Sequence, residues 1–334
     1  TFGLAHGNLA ARQNLRAGIP AELAGSYLYN QHCDDIDWQI EADFTGVISP
    51  GLVNQAIHQA WRLGHIIGYG DGVYGGVFVG AMYARAYTAT SVSEIIEAGR
   101  QAVPEGSLFR QMVEECISYY EGGITFEENW ETLQVDWGRT DRCPEGCGEF
   151  NAFNIDAKMN SIHILLGLLY GEGDFEESIR ISMRCGDDSD CNPSSVGGIL
   201  GAWMGLSHIP KKFTKALDRT ATKFSCTDYT VNDFVEAEYQ LALETLEQCG
   251  VQKTAVGYAI DPDQSIAPAE LEQWPDQPSV SVSYSLRSLA ITTKANAWDA
   301  GGIQTIEWDF GDGTAVDTGA ECLHIYDEEG NYTV

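Results

Sequence analysis

Basic side chains are scarce in this chain: its 334 residues carry 19 Lys and Arg against 49 Asp and Glu, a formal charge of -30. A field of that sign repels phosphodiester backbones and anionic bilayers, so no nucleic-acid or membrane-surface partner is expected. Long apolar runs are missing as well. Val77–Ala84 is stopped by Arg85, far short of the roughly twenty residues that span a bilayer, so no transmembrane segment is expected. There is no Gly-x-Ser-x-Gly run for a serine-hydrolase elbow. The glycine-rich run Gly68–Gly76 has no Walker lysine and no strand-to-helix dinucleotide context. Cys143 and Cys147 lack the second nearby Cys/His pair that a tetrahedral zinc knot needs. Nine cysteines cannot all pair within the chain. The sequence opens at Thr1 with neither initiator Met nor signal sequence, as expected of a processed or truncated chain.

What is present suits one large helical domain and something smaller. With 44% hydrophobic residues the chain can bury a substantial core. From Ala56 to about Cys249 it reads as helices broken by glycine-rich loops. Ile155, Met159, Ile162, Leu166 and Leu169 recur at helical spacing, which predicts a core helix over 154–170. Asp174 and Glu177 are spaced as a capping box for the next helix, with Phe175, Ile179 and Met183 along one face. Gly197, Gly201 and Gly205 recur every four positions, which predicts a neighbour packed closely on that face. A last amphipathic helix is expected within 216–249, with Phe234, Ala237, Leu241 and Leu246 inward. Near Ala259 the character changes. Proline and aspartate punctuate 259–278 as a linker would. Alternating runs at 280–284, 304–310 and 332–334, with a turn at Gly311–Gly313, then predict a small β-sandwich.

Two acidic clusters carry the chemical signal. In Cys185-Gly186-Asp187-Asp188-Ser189-Asp190-Cys191-Asn192-Pro193, Asp188 and Asp190 flank a serine and can converge on one cation. Oxygen donors suit magnesium, manganese or calcium better than zinc. Asp187 either points to solvent or caps the following helix, and an acidic surface turn is the bland alternative. In Asp34-Asp35-Ile36-Asp37-Trp38-Gln39-Ile40-Glu41, a helix starting near Asp37 stacks Asp37 and Glu41 one turn apart. Such a like-charged pair invites a cation, an arginine or a polar group beside it; a helix start enriched in Asp is the alternative. Around Asp71, Tyr69 and Tyr74 could stack on a sugar or base, or the loop could simply lead into a closely packed helix.

Asp188-Ser189-Asp190-Cys191-Asn192 ahead of a small-residue helix resembles the metal motif of the ADP-ribosylglycohydrolase family. Asp34–Phe44, Tyr69–Gly76 and Phe153–Lys158 look like a bacterial branch of that family, the likeness covering about 4–210. The resemblance implies an all-α, orthogonally packed fold holding two magnesium ions, with manganese an alternative, and hydrolysis of the bond joining ADP-ribose to arginine, serine or a related acceptor. It implies Asp188, Asp190 and Cys191 as metal ligands, Cys191 standing where a threonine hydroxyl is usual. Asp34, Asp35 and Asp37 become catalytic, and Glu41, Tyr69, Asp71, Tyr74 and Asp156 substrate-binding. The family's Glu/Thr-Asp-Asp ligands are expected upstream of Asp34, outside this chain, leaving Asp34 and Asp35 to line the cleft.

Trp308-Asp309-Phe310-Gly311-Asp312-Gly313-Thr314, with His324-Ile325-Tyr326 and Gly330–Val334, looks like a PKD domain over 279–334, an immunoglobulin-like sandwich one strand short. The domains are then 1–258, helical; 259–278, linker; and 279–334. Such an appendage implies an extracytoplasmic or secreted protein. The expected function is metal-dependent glycohydrolysis of an ADP-ribosylated or glycosylated substrate. Its rivals are a non-catalytic glycan- or protein-binding role on the same body, and structural calcium binding.

Overall fold

The structure is a computed structural model describing residues 6–138, 140, 154–225, 227–274, 278–298 and 302–334; Cys143, Cys147 and Phe153 lie outside them. Helices fill the N-terminal part. They are α1 (His6–Arg16), the short α2 (Ala21–Ala24), α3 (Asp37–Glu41) and α4 (Asp43–Val47), α5 (Val53–Gly64), α6 (Asp71–Ala86), α7 (Val92–Ala102), α8 (Leu108–Glu121), α9 (Phe126–Trp137), α10 (Ala157–Gly171), α11 (Phe175–Arg184), α12 (Cys191–Met204), the short α13 (Lys211–Thr214) and α14 (Val231–Gln248). None is long and apolar enough to cross a membrane.

Helices α6 and α10 are buried on almost every face, as befits helices surrounded by others rather than lying at a surface. Around α6 pack α3, α4, α5, α7, α10 and α12, and around α10 pack α8, α9, α11 and α12. The expected core helix is therefore present and central. Its neighbour α11 starts on Asp174, which accepts from Glu177 N at 2.8 Å. Glu177 turns to Arg180 instead of closing the box, and Met183 at the far end is exposed. On α14 the buried residues are Ala242, Thr245 and Leu246, so Phe234 and Leu241 point outward against expectation; Phe234 pairs with Phe224 at 5.0 Å between centroids. The glycine stripe is also displaced: a Cβ at Gly198 would run into the Tyr83 hydroxyl, whereas Gly205 lies beyond the helix end.

At Gly72 the backbone of α6 meets the carbonyl oxygen of Cys33, leaving no room for a Cβ. Backbone cannot yield as a flexible side chain can. Gly72→Ala is expected to cost about 1–3 kcal/mol, the usual range for overpacking, checked by thermal melts.

After α14 comes a short hairpin, β1 (Gln252–Thr254) with β2 (Gly257–Ala259). Much of the stretch expected as a linker then runs along the helical body. Asn54 brackets it, donating to Ser265 O at 2.8 Å and accepting from Ala267 N at 2.9 Å, and Ala269 N donates to Ala102 O at 2.9 Å. Strands β3 (Ser279–Arg287), β4 (Ala290–Trp298) and β7 (Glu321–Ile325) form an antiparallel sheet in the order β3-β4-β7, and β5 (Glu307–Trp308) pairs with β6 (Asp317–Thr318). Ile291, Ala295, Trp308, Phe310, Cys322 and Tyr326 share one small core. No closed sandwich forms among the described residues. The strand expected at 332–334 is absent; Tyr332 instead stacks on Tyr326 at 4.0 Å.

Candidate functional site

Three helix starts meet at the acidic clusters. Asp71 is the first residue of α6, Asp156 caps α10, and Asp190 stands at the N-cap of α12. Their exposed N–H groups and positive dipole ends favour carboxylates there. The segment before α3 is tied to the start of α10: Asp35 bridges Asp156 in antiparallel fashion, Ile36 N donates to Ile155 O at 2.8 Å, and Ala157 N donates to Asp34 O at 3.1 Å.

A cavity of about 320 Å³ opens between them, lined by His6, Ile36, Asp37, Ile40, Asn154, Ile155, Asp187, Asp188, Asp190 and Cys191. The two acidic clusters, some 150 residues apart in sequence, thus share one hollow. Asp37 comes from one side, and Asp188, Asp190 and Cys191 from the other.

Each side holds a set of potential ligands within 4.8 Å of one another: Asp188, Asp190 and Cys191, and His6, Asp35 and Asp37. Both sets lie within this chain. Asp35 is 2% exposed. Its Oδ2 meets His32 Nδ1 at 2.9 Å, while its Oδ1 has no hydrogen-bond partner among the described residues. A cation would satisfy that oxygen. Burial pushes the Asp35 carboxyl up to about 8, against the lowering effect of His32 and with help from Asp34 and Asp37. Asp188 is also raised, by burial first and by Asp190 next. Its Oδ1 accepts from Cys191 N at 2.9 Å, closing the first turn of α12. Burial and the Asp188 carboxylate push the Cys191 thiol up to about 12. The carboxylate oxygens of this set suit a hard divalent ion better than its sulfur does.

The remaining expected residues are placed as follows. Asp34 and Asp35 are buried behind the cavity lining. Asp37 receives the start of α1, accepting from Gly7 N at 3.3 Å and Asn8 N at 3.2 Å. The Asn8 amide joins Asp37 at 2.9 Å to Glu41 at 2.5 Å, supplying the polar group expected between these like charges. Glu41 is off the cavity lining. Asp156 and Asp71 sit either side of Lys158 Nζ, at 2.5 and 3.7 Å. Tyr69 and Tyr74 lie away from the cavity, bonded to Gln273 O at 2.8 Å and Glu270 O at 3.2 Å.

Sequence reasoning missed Asp187 as a wall of the cavity, where burial pushes it up to about 7. Its backbone has φ 54°, unusual for a non-glycine residue. It missed His6 and Asn8, remote in sequence from both clusters. Lys158 carried a signal, a lone cation in an otherwise apolar helix two residues after an aspartate. Asn160 also belongs here, accepting from Asn192 Nδ2 at 2.8 Å.

Comparison with known proteins gives two matches: the ADP-ribosylglycohydrolase family model over residues 1–252 and a PKD domain over 285–334. No curated protein and no solved structure matches the chain.

Proposed function

The chain belongs to the ADP-ribosylglycohydrolase family, and from that membership we propose that it is a divalent-cation-dependent glycohydrolase. Its substrate is an N- or O-glycoside of ADP-ribose or a related ribosyl or glycosyl compound. The observation that carries this reading is the meeting of two ligand sets at one cavity, one of them with a buried carboxylate oxygen lacking a partner among the described residues.

Asp188 and Asp190 would hold magnesium or manganese from the α12 side, and Asp35 and Asp37 from the α3 side. A bound ion supplies Lewis acidity at the sugar hydroxyls and the anomeric centre. The chain's own residues shape the rest of the cavity. Ile36, Ile40 and Ile155 give it apolar walls that exclude water from a ring face. Asn154 Nδ2, buried and without a hydrogen-bond partner among the described residues, would donate to a sugar hydroxyl. Asp37, fixed by the start of α1, presents its carboxylate to the same space. Asp34 and Asp156 brace this wall from behind, and Tyr69, Tyr74 and Asp71 fix the loop beneath it. The PKD domain supports an extracytoplasmic setting.

Titration calorimetry with magnesium and manganese, and hydrolysis of ADP-ribosyl-arginine and a nitrophenyl glycoside panel, test the reading. Binding tighter than millimolar and a chelator-sensitive release of sugar are expected. No such binding would overturn it, and binding without turnover of any substrate would favour the non-catalytic role.

A further inference from the structure

Residues 253–284 fall outside both matched families, yet the strap from Pro262 to Trp274 ends in an ordered contact with the start of α6. One Glu272 oxygen accepts from Gly70 N, and the other lies 2.8 Å from His65 Nε2. The Glu272 N–H donates to the Tyr74 hydroxyl at 2.7 Å. Trp274 meets Tyr69 edge-on at 5.1 Å and covers Gly70, where a Cβ would lie 2.7 Å from its ring and φ is 56°. An acidic strap residue thus satisfies an N–H that the helix itself leaves unpaired, at the positive end of its dipole.

The same turn touches the candidate site on its other side. Tyr69 N donates to Cys33 O at 2.7 Å, Gly72 admits that carbonyl at close range, and Asp71 faces Lys158. The α6 start thus touches both the strap and the Cys33–Asp34 backbone. We propose that Glu272 is a positioning residue for the acidic site: by capping α6 from outside the family-matched region, it fixes Cys33–Asp35 and so the geometry of the His6, Asp35 and Asp37 set. The functional unit then extends to Trp274, past the end of the family match. The proposal rests on reading that set as a cation site.

The test compares Glu272→Ala and Glu272→Gln in the full chain by amide hydrogen exchange and by manganese titration. In Glu272→Ala, exchange should rise about tenfold over both 68–73 and 33–37 while α8 and α10 keep their protection. Manganese affinity should fall about tenfold, the usual effect of losing a group that orients metal ligands. Glu272→Gln, which keeps an acceptor for Gly70 N, should recover most of both. A rise confined to 68–73 with unchanged affinity would overturn the proposal, leaving the strap a surface cover. Should Glu272→Ala lose its cooperative melt, His65→Ala, which frees the same carboxylate from its second anchor, is read in the same way. An unaltered chain that binds no manganese would overturn the cation reading, while exchange at 33–37 still decides the role of Glu272.

Discussion

Asp188→Ala should abolish magnesium and manganese binding in titration calorimetry, a loss of at least about a hundredfold in affinity. Hard cations are held by the number and charge of their oxygen ligands, and Asp188 is half-buried and anchored through Cys191 N at 2.9 Å. Cys191 is a poor replacement, because a sulfur donor suits softer ions than these. The same experiment has a pH signature. Asp35, pushed up to about 8, and Asp187, pushed up to about 7, hold protons over part of the neutral range. Protons compete with the cation for Asp35, and a protonated Asp187 contributes less negative potential to the cavity. Affinity should therefore fall as pH drops from about 8 to about 6, with protons released on binding. Heat of binding that varies with the ionisation enthalpy of the buffer would show that release. Undiminished binding by Asp188→Ala would remove the α12 side from the site.

The same carboxyls determine how the cation-free protein responds to pH. A folded carboxyl raised above its unfolded value binds more protons than the unfolded chain between the two values, so its contribution to stability declines as pH rises through that window. For Asp35 the window runs from its ordinary value of 3.8 to about 8. A bound divalent ion opposes this by favouring the ionised form, so added magnesium should raise the melting temperature more at pH 8 than at pH 5.

The sequence made one half of the site plain and hid how the other half is completed. Asp188 and Asp190 declare themselves because three carboxylates crowd into four positions ahead of a helix. Their partners come from α1 and α3, brought in by tertiary packing that no local spacing records. His6 and Asn8 sit on a helix whose start is held by Asp37, and that contact spans about 30 residues of chain. The central helix α10 was legible because five apolar residues keep helical spacing. The inward face of α14 was not, since Phe234 finds Phe224 on its own local loop instead of the core. The prolines of the strap are the mark of a linker. Proline excludes helix but says nothing about docking, and here the extended backbone is paid for by side-chain and backbone bonds from Asn54, Ala102 and Tyr74.

Lys158→Met should strongly destabilise the helical body. Lys158 is 1% exposed, with Nζ 2.5 Å from Asp156 and 3.7 Å from Asp71. Burial raises the Asp156 carboxyl, while the Lys158 charge and hydrogen bonds hold it down. Methionine fills nearly the same volume, so the change chiefly removes the positive charge beside Asp156 and Asp71. Breaking a buried pair from one side costs about 3–5 kcal/mol, or roughly 6–20 °C in melting temperature for a domain of this size. The sign of its pH dependence follows from Asp156. Without the ammonium that carboxyl rises further, so the variant is nearest to the unaltered protein in acid, where Asp156 is protonated, and falls behind as pH rises. Lys158→Met combined with Asp156→Asn should recover much of the loss, because the stranded charge is then gone. A deficit under about 1 kcal/mol, the same at pH 5 and pH 8, would show that the lysine acts by packing alone.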